Sequence, residues 1–211
     1  MTVRSNGSSG LRKFVGCARL YVGDEMIVVV AGRRIDAPDS ENTKFPLSEV
    51  PRVKAEIRAL FLEHQVSAMV SSAACGADLL ALSEAGKLGL SRRIVLPFSR
   101  EQFRRRSVTD RPGDWGPLYD RVTDEVSSQE DLIIVSDFGA NDPYRAVSSR
   151  LVAEAVALGL QVKQSVAGVV VWDRIVRRAP DYTAELRAEV RRRGLPVFEV
   201  RTLSRTTAVN W

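Results

Sequence analysis

Two stretches of this chain set tiny and polar residues directly after apolar runs. The first is Val28-Val29-Val30-Ala31-Gly32-Arg33-Arg34-Ile35-Asp36. The second is Met69-Val70-Ser71-Ser72-Ala73-Ala74-Cys75-Gly76-Ala77-Asp78, which continues into the apolar Leu79-Leu80-Ala81-Leu82. Small side chains where a strand turns into a helix let backbone N–H groups approach a ligand, and the helix N-terminus adds positive partial charge. Such a junction suits a phosphate or a ribose. In the first stretch Gly32 allows a turn, and Arg33 and Arg34 are able to form paired hydrogen bonds to a phosphate. Asp36 suits ribose hydroxyls or the fixing of an arginine. In the second, the hydroxyls of Ser71 and Ser72 and the amides around Gly76 suit phosphate or ribose oxygens. Asp78 either contacts a ligand or caps the helix. The plain alternative at each junction is a tight turn with scattered surface charge. Two junctions in consecutive β–α units favour a ligand site.

Other residues extend the candidate site. Phe98, Tyr144 and Trp172 are aromatic candidates to meet a nucleobase. Thr183 and Asp181 stand at a helix start, where either caps the helix and the open amides suit a phosphate. The arginines between residues 99 and 115, among them Arg100, Arg104 and Arg105, are candidates to meet an anion from a side wall. Glu84, Asp78 and Glu185 are the carboxylates considered for catalysis. Glu84 reads equally as a solvated glutamate. A nucleophilic Cys75 lacks support, because the only histidine, His64, lies elsewhere.

These residues need elements to position them. Residues 26–31, 67–71, 93–96, 131–135, 168–172 and 197–200 read as short, mostly valine-rich strands. Between them, residues 49–64, 78–88, 118–126, 143–158 and 182–193 carry helical apolar spacing. Ser48 is expected to cap the first of these helices, and Gly89, Gly159 and Gly194 to end later ones. Residues 99–115 read as a polar lid or side wall. This alternation predicts an α/β fold: a Rossmann-like parallel sheet of about six or more strands with helices on both faces. Ligands in such sheets bind beyond the carboxyl ends of the strands. The expected organisation is an N-terminal extension over residues 1–25, partly disordered, one domain over 26–203 and a tail over 204–211.

Composition excludes several classes. Of 211 residues, 45% are hydrophobic and 27% charged, the balance of an ordinary globular chain able to fold without disulfides or metal. Two cysteines and one histidine leave no zinc spacing, so neither a metal nor a cofactor is expected. No apolar run approaches the ~20 residues of a membrane span, so the expectation is a cytoplasmic protein without a membrane partner. The net charge of +5 is compatible with an anionic small molecule and with modest nucleic-acid contact. No Gly-x-x-x-x-Gly-Lys-Ser/Thr loop, Gly-x-Ser-x-Gly elbow or Gly-x-Gly-x-x-Gly fingerprint is present.

The segments Ala31-Gly32-Arg33-Arg34-Ile35-Asp36-Ala37-Pro38 and Val70-Ser71-Ser72-Ala73-Ala74-Cys75-Gly76-Ala77-Asp78 resemble two loops of the SLOG superfamily. That group unites the DNA-processing protein A proteins with the Lonely Guy proteins. The first segment is similar to its Gly-Ser-Arg loop and the second to its Ser-Gly-Gly-Ala-x-Gly-x-Asp loop. Ile94-Val95-Leu96-Pro97-Phe98 is similar to the strand that follows in many members. The resemblance implies a Rossmann-like sheet that binds or senses a nucleotide-derived ligand at its strand ends, in signalling or antiviral defence. With no effector domain in sight, self-association into a homo-oligomer is expected. The Lonely Guy branch implies the alternative of an N-glycosidase acting on nucleoside monophosphates or NAD-like substrates. Its Pro-Gly-Gly-x-Gly-Thr-x-x-Glu motif has as nearest match Ala179-Pro180-Asp181-Tyr182-Thr183-Ala184-Glu185, which lacks all three glycines. The DNA-processing branch implies single-stranded nucleic-acid binding as a second alternative.

Overall fold

The computed structural model describes residues 25–127, 131–135, 142–178 and 180–204. Strand β1 (Met26–Gly32) leads through a 3-10 turn (Leu47–Glu49) to helix α1 (Val50–Glu63). Then come β2 (Val66–Ser71), α2 (Ala77–Lys87) and β3 (Ser91–Leu96). Two helices follow, α3 (Arg100–Ser107) and α4 (Gly116–Ser127), before β4 (Leu132–Ile134). The chain continues through α5 (Pro143–Val162), β5 (Ser165–Trp172), α6 (Tyr182–Arg192) and β6 (Val197–Arg201).

All pairings are parallel, in the order β4-β3-β2-β1-β5-β6. The α/β, Rossmann-like sheet expected from the sequence is therefore present, with six strands. The chain builds outward from β1 to β4, returns to the centre and builds the other way through β5 and β6. The order thus reverses between β1 and β5, and ligands in open α/β sheets bind at such a reversal.

The valine run of β1 has a simple cause. Successive side chains of a strand point to opposite faces. Val28 and Val30 enter one core with Ile57 and Phe61 of α1 and Leu79 and Leu82 of α2. Ile27 and Val29 enter a second core with Leu151 and Ala155 of α5 and Leu186 and Val190 of α6. Both faces are covered, so no position of the run is left for a polar residue.

Several boundaries differ from expectation for identifiable reasons. Ser48 lies inside the 3-10 turn, and α1 starts after Glu49 with no side-chain cap, Pro51 occupying its first turn. Gly159 does not stop α5, which runs on to Val162 and closes at Lys163 with φ 57°. A Cβ on Gly159 would lie 2.4 Å from Val166 Cγ2, so its bareness lets the helix press on β5. Gly89 and Gly194 follow their helices with φ of 73° and 71°, as expected of terminating glycines. The polar stretch after β3 contains helix α3, capped by Ser99, whose hydroxyl accepts from the Gln102 amide at 3.3 Å. Cys17, nearly all of the proposed N-terminal extension, the tail beyond Ser204, and residues 136–141 lie outside the described residues. Among the described residues no helix is long and apolar enough to cross a membrane, and no cluster of ligating side chains suits a metal.

Candidate functional site

The two small-residue junctions pack on each other. The Ala77 amide at the start of α2 donates to the Arg33 carbonyl at 3.2 Å. Gly76, with φ 94°, lies so close that a Cβ would sit 2.8 Å from that carbonyl and 2.9 Å from the Ile35 nitrogen. A Cβ on Gly32 would meet Ala77 Cβ at 2.4 Å and the Val171 carbonyl at 2.5 Å. These two glycines therefore serve close packing of backbone on backbone. The start of α2 is also less open than expected for a phosphate seat, because the amides of Ala77, Leu79 and Leu80 already bond to Arg33, Ala74 and Gly76.

A cavity of about 420 Å³ opens beyond the carboxyl ends of β1, β2 and β5. The loop after β1 contributes Gly32, Arg33, Arg34 and Asp36, and the β2–α2 junction contributes Ser72, Ala74 and Asp78. Ser107 and Arg111 come from the end of α3 and the turn after it. Tyr144 and Ser148 come from α5, and Asp181, Tyr182 and Thr183 from the start of α6.

Arg33 is expected at a phosphate, but the structure commits it to protein. Its Nη1 donates to Asp181 Oδ1 at 2.6 Å, its Nε to Asp173 Oδ1 at 3.0 Å, and its Nη2 to Asp181 Oδ2 and the Ile175 carbonyl. Burial opposes ionisation of Asp181, but the hydrogen bond from Arg33, the amides of Arg177 and Ala184 and the Arg33 charge together outweigh it and hold the carboxyl below its usual range. Asp173 is likewise held down against burial by Arg177 and Arg33. Arg33 thus ties the β5–α6 loop to the end of β1. Asp36 is also spent: its carboxylate accepts from the amides of Lys44 and Phe45 at 3.0–3.1 Å and closes the loop between them.

Arg34 and Arg111 differ from Arg33. Arg34 Nη2 bonds to Asp110 and approaches Cys75 Sγ at 3.6 Å, but its buried Nε has no partner. Arg111 Nε lies 3.6 Å from Asp110 Oδ2, an ion pair too long for a hydrogen bond, and is likewise buried without a hydrogen-bond acceptor. Asp78 is 7% exposed. Its Oδ2 accepts from the Ala74 amide at 3.3 Å, and its Oδ1 is buried with no partner. Burial pushes its pKa up to about 7; the amides of Ala74 and Gly32 and the charge of Arg34 only partly counter this. The hydrogen bond to Ala74 joins the helix to the preceding turn, so capping and ligand contact are compatible here.

Tyr144 and Tyr182 form an aromatic wall, with ring centroids 5.6 Å apart and planes at 30°. Asp142 caps α5 through the amides of Tyr144 and Arg145 and also accepts from the Tyr182 hydroxyl at 3.1 Å. Burial, and then Asp142, push the Tyr182 phenol up to about 12, so it stays a neutral donor. Tyr144 Oη lies 3.1 Å from Ser107 Oγ.

The structure thus brings Gly32, Arg33, Arg34, Asp36, Ser72, Asp78, Tyr144, Asp181 and Thr183 to one cavity and leaves the other candidates off its lining. Ser71 is fully buried, its hydroxyl donating to the Val30 carbonyl at 2.9 Å. Gly76 lies beneath the β1 loop, as above. Phe98 stands behind Tyr144, edge-on at 5.7 Å. Trp172 belongs to the second core, with the guanidiniums of Arg187 and Arg33 over its ring at 5.1 and 5.8 Å. Glu84 faces α1, bound by Lys87, Arg58 and Lys54. Glu185 pairs with Arg145 at 2.8 Å. Arg100 and Arg104 pair with Asp124 and Asp120 of α4, while Arg105 is exposed. Arg111 and Tyr182 are among the lining residues that sequence reasoning missed, with Ser107 and Ser148. Arg111 sat in the suspect arginine-rich stretch, but only the fold of α3 selects it from its neighbours. Tyr182 stood beside Thr183 in a segment read for its caps.

No known protein family matches the chain, and no curated protein matches it. Among solved structures, DNA processing protein A from Streptococcus pneumoniae is similar over 83% of this chain at 13% identity and TM-score 0.38. This chain spans 59% of that protein's length. The Moco carrier protein from Chlamydomonas reinhardtii is similar over 88% of this chain and 95% of its own, at 16% identity and TM-score 0.35. The Rossmann-like assignment rests on the sheet order itself.

Proposed function

We propose that this protein binds a nucleotide-derived small molecule in the cavity at the carboxyl ends of β1, β2 and β5. The observation that carries the reading is the pair of buried guanidinium donors, Arg34 Nε and Arg111 Nε, left without hydrogen-bond partners on a cavity at the sheet's reversal point. A buried donor without an acceptor costs about 1–3 kcal/mol, and a bound phosphate removes that cost. The Tyr144–Tyr182 wall supplies an apolar surface for a base. The volume suits a small ligand, at the lower end of the usual range for such pockets.

Thermal unfolding in the presence of a nucleotide panel tests the reading. A ligand at one hundred times its Kd adds about 2.7 kcal/mol, a rise of roughly 5–10 °C for a chain of this size. Arg34→Gln combined with Arg111→Gln is expected to abolish the rise while leaving the far-ultraviolet circular dichroism intact. No rise with any nucleotide overturns the reading.

Cleavage of an N-glycosidic bond is the second reading, favoured by one observation: the cavity holds a carboxyl, Asp78, with one oxygen unpartnered. Glu84 and Glu185, tied to cations off the cavity lining, carry no such role. Incubation with NAD and nucleoside monophosphates, followed by chromatography for released base, decides it. Intact substrates at high protein concentration remove this reading.

A further inference from the structure

Strand β6 ends the sheet, with β5 on one side and no strand among the described residues on the other. In a parallel ladder alternate residues of a strand bond to a given neighbour. The Pro196 carbonyl accepts from the Gly168 amide at 2.9 Å, and the Thr202 amide donates to the Trp172 carbonyl at 3.1 Å. Phe198 and Val200, two and four residues after Pro196, therefore turn to β5 as well. Val197, Glu199 and Arg201 turn their N–H and C=O groups to the free edge. A groove of about 500 Å³ is lined by Arg52 and Glu56 of α1 together with Glu199 and Arg201 of β6, so the edge is open where these residues stand. We infer that two copies of the chain meet at this edge. There β6 pairs antiparallel with β6 of a second copy about a two-fold axis at Val200, and the two sheets join into one.

The charge order selects the occupant. Charges on an edge strand keep other strands away, and a single sign repels an identical copy. Here opposite signs stand at Glu199 and Arg201, on either side of Val200. Antiparallel pairing about Val200 sets Glu199 of each copy directly opposite Arg201 of the other, on one face of the sheet. The backbone accepts this register, because both residues face outward and exchange N–H···O bonds as an opposed pair. Val200, whose own backbone groups face β5, falls at the close pair between them, and its side chain stays in the core. An axis one residue away, at Glu199 or at Arg201, opposes like charges instead. Within the chain Glu199 meets Arg174 and Arg187, each at 2.9 Å, whereas the exposed Arg201 guanidinium has no ion pair among the described residues. The Arg201 carbonyl accepts from Arg52 Nη2 at 2.9 Å and keeps a second lone pair for an amide of the other copy.

The test is sedimentation equilibrium of the full chain at low salt over a wide range of concentration. The expected result is a reversible equilibrium between monomer and dimer. Arg201→Glu opposes like charges twice across the axis and is expected to weaken the dimer about tenfold or more. Arg201→Lys keeps the opposite pairs and is expected to stay within about threefold of the unaltered protein. Arg105→Glu makes the same change of charge on the exposed side of α3 and is expected to leave the dimer unchanged. Amide exchange of the unaltered protein, read by nuclear magnetic resonance, gives a second measure that needs no variant. The amides of Glu199 and Arg201 are expected to slow as concentration rises. A monomer at every concentration overturns the inference. So does a dimer that Arg201→Glu leaves intact, because its interface lies elsewhere. A monomer whose Glu199 and Arg201 amides are already slow also overturns it, because another part of the chain then covers the edge. None of these outcomes bears on ligand binding in the cavity.

Discussion

Arg33 and Asp78 line the same cavity and bury charge in opposite ways. Arg33 is surrounded by acceptors, and its two carboxylate partners are almost fully enclosed, with side chains 0% and 5% exposed. Removing that guanidinium would strand both acids, which makes Arg33 a structural tie, not a ligand group. Asp78 faces only the amides of Ala74 and Gly32 and the charge of Arg34, with Oδ1 left without a hydrogen bond, so burial wins. Its folded pKa of about 7 lies above the ordinary 3.8, and the sign of the pH dependence follows. Below about pH 3 the group is protonated folded and unfolded alike and nothing is lost. As pH rises toward 7 the unfolded chain releases a proton that the fold retains, and stability declines. Above about pH 8 the full penalty applies, on the order of 4 kcal/mol. Asp78→Asn removes the titration. Its melting temperature is expected to gain on that of the unaltered protein steadily between pH 5 and pH 8. Parallel curves for the two proteins over that range would refute the assignment.

At the scale of elements, legibility followed periodicity. The strands and five of the helices were readable because apolar residues recur at spacings of two and of three to four, and because buried parallel strands exclude polar residues. Helix α3 was not readable: among Arg100–Ser107 the hydrophobic residue is Phe103, and six of the other seven are charged or amide-bearing. One anchoring aromatic gives no period. Gly89 and Gly194 end their helices as read, but the work of Gly32, Gly76 and Gly159 was misassigned, since sequence shows a missing side chain without showing what occupies its place. Gly76 and Gly89 separate the two possibilities. Both have positive φ, 94° and 73°, so alanine strains either backbone by about 1–3 kcal/mol, the more at Gly76, whose ψ of −127° lies outside the left-handed helical well. Around Gly89 nothing lies within 4 Å of a Cβ, whereas at Gly76 two backbone atoms of the β1 loop lie within 3.0 Å. Urea unfolding is expected to show Gly89→Ala near the strain cost alone and Gly76→Ala lower by a further 1–3 kcal/mol or so, the usual range for overpacking. Equal losses would mean that the β1 loop yields and that the junctions are not rigidly stacked.

For the whole molecule, the place of the site was legible and its chemistry only partly so. A parallel sheet has its polar junctions at the carboxyl ends, and a chain that reverses direction beside β1 leaves a crevice there. Which side chains face that crevice depends on distant pairings, such as Arg33 with Asp181 across the sheet, that no local pattern encodes. The same architecture predicts how motion is distributed. β1 is paired on both sides along Met26–Val30 and lies between two cores, while β4 is a three-residue edge strand whose Ile134 is 46% exposed. Amides that open only with global unfolding belong in β1, β2 and β5, and those of β4 open locally at lower cost. Hydrogen exchange followed by mass spectrometry is expected to rank the strands in that order. Added nucleotide is expected to slow exchange first at residues 33–37, 72–76 and 180–183, the loops that line the cavity, because a ligand stabilises most what opens when it leaves. Protection gained at β4 with the cavity loops unchanged would place the ligand elsewhere and detach the two small-residue junctions from function.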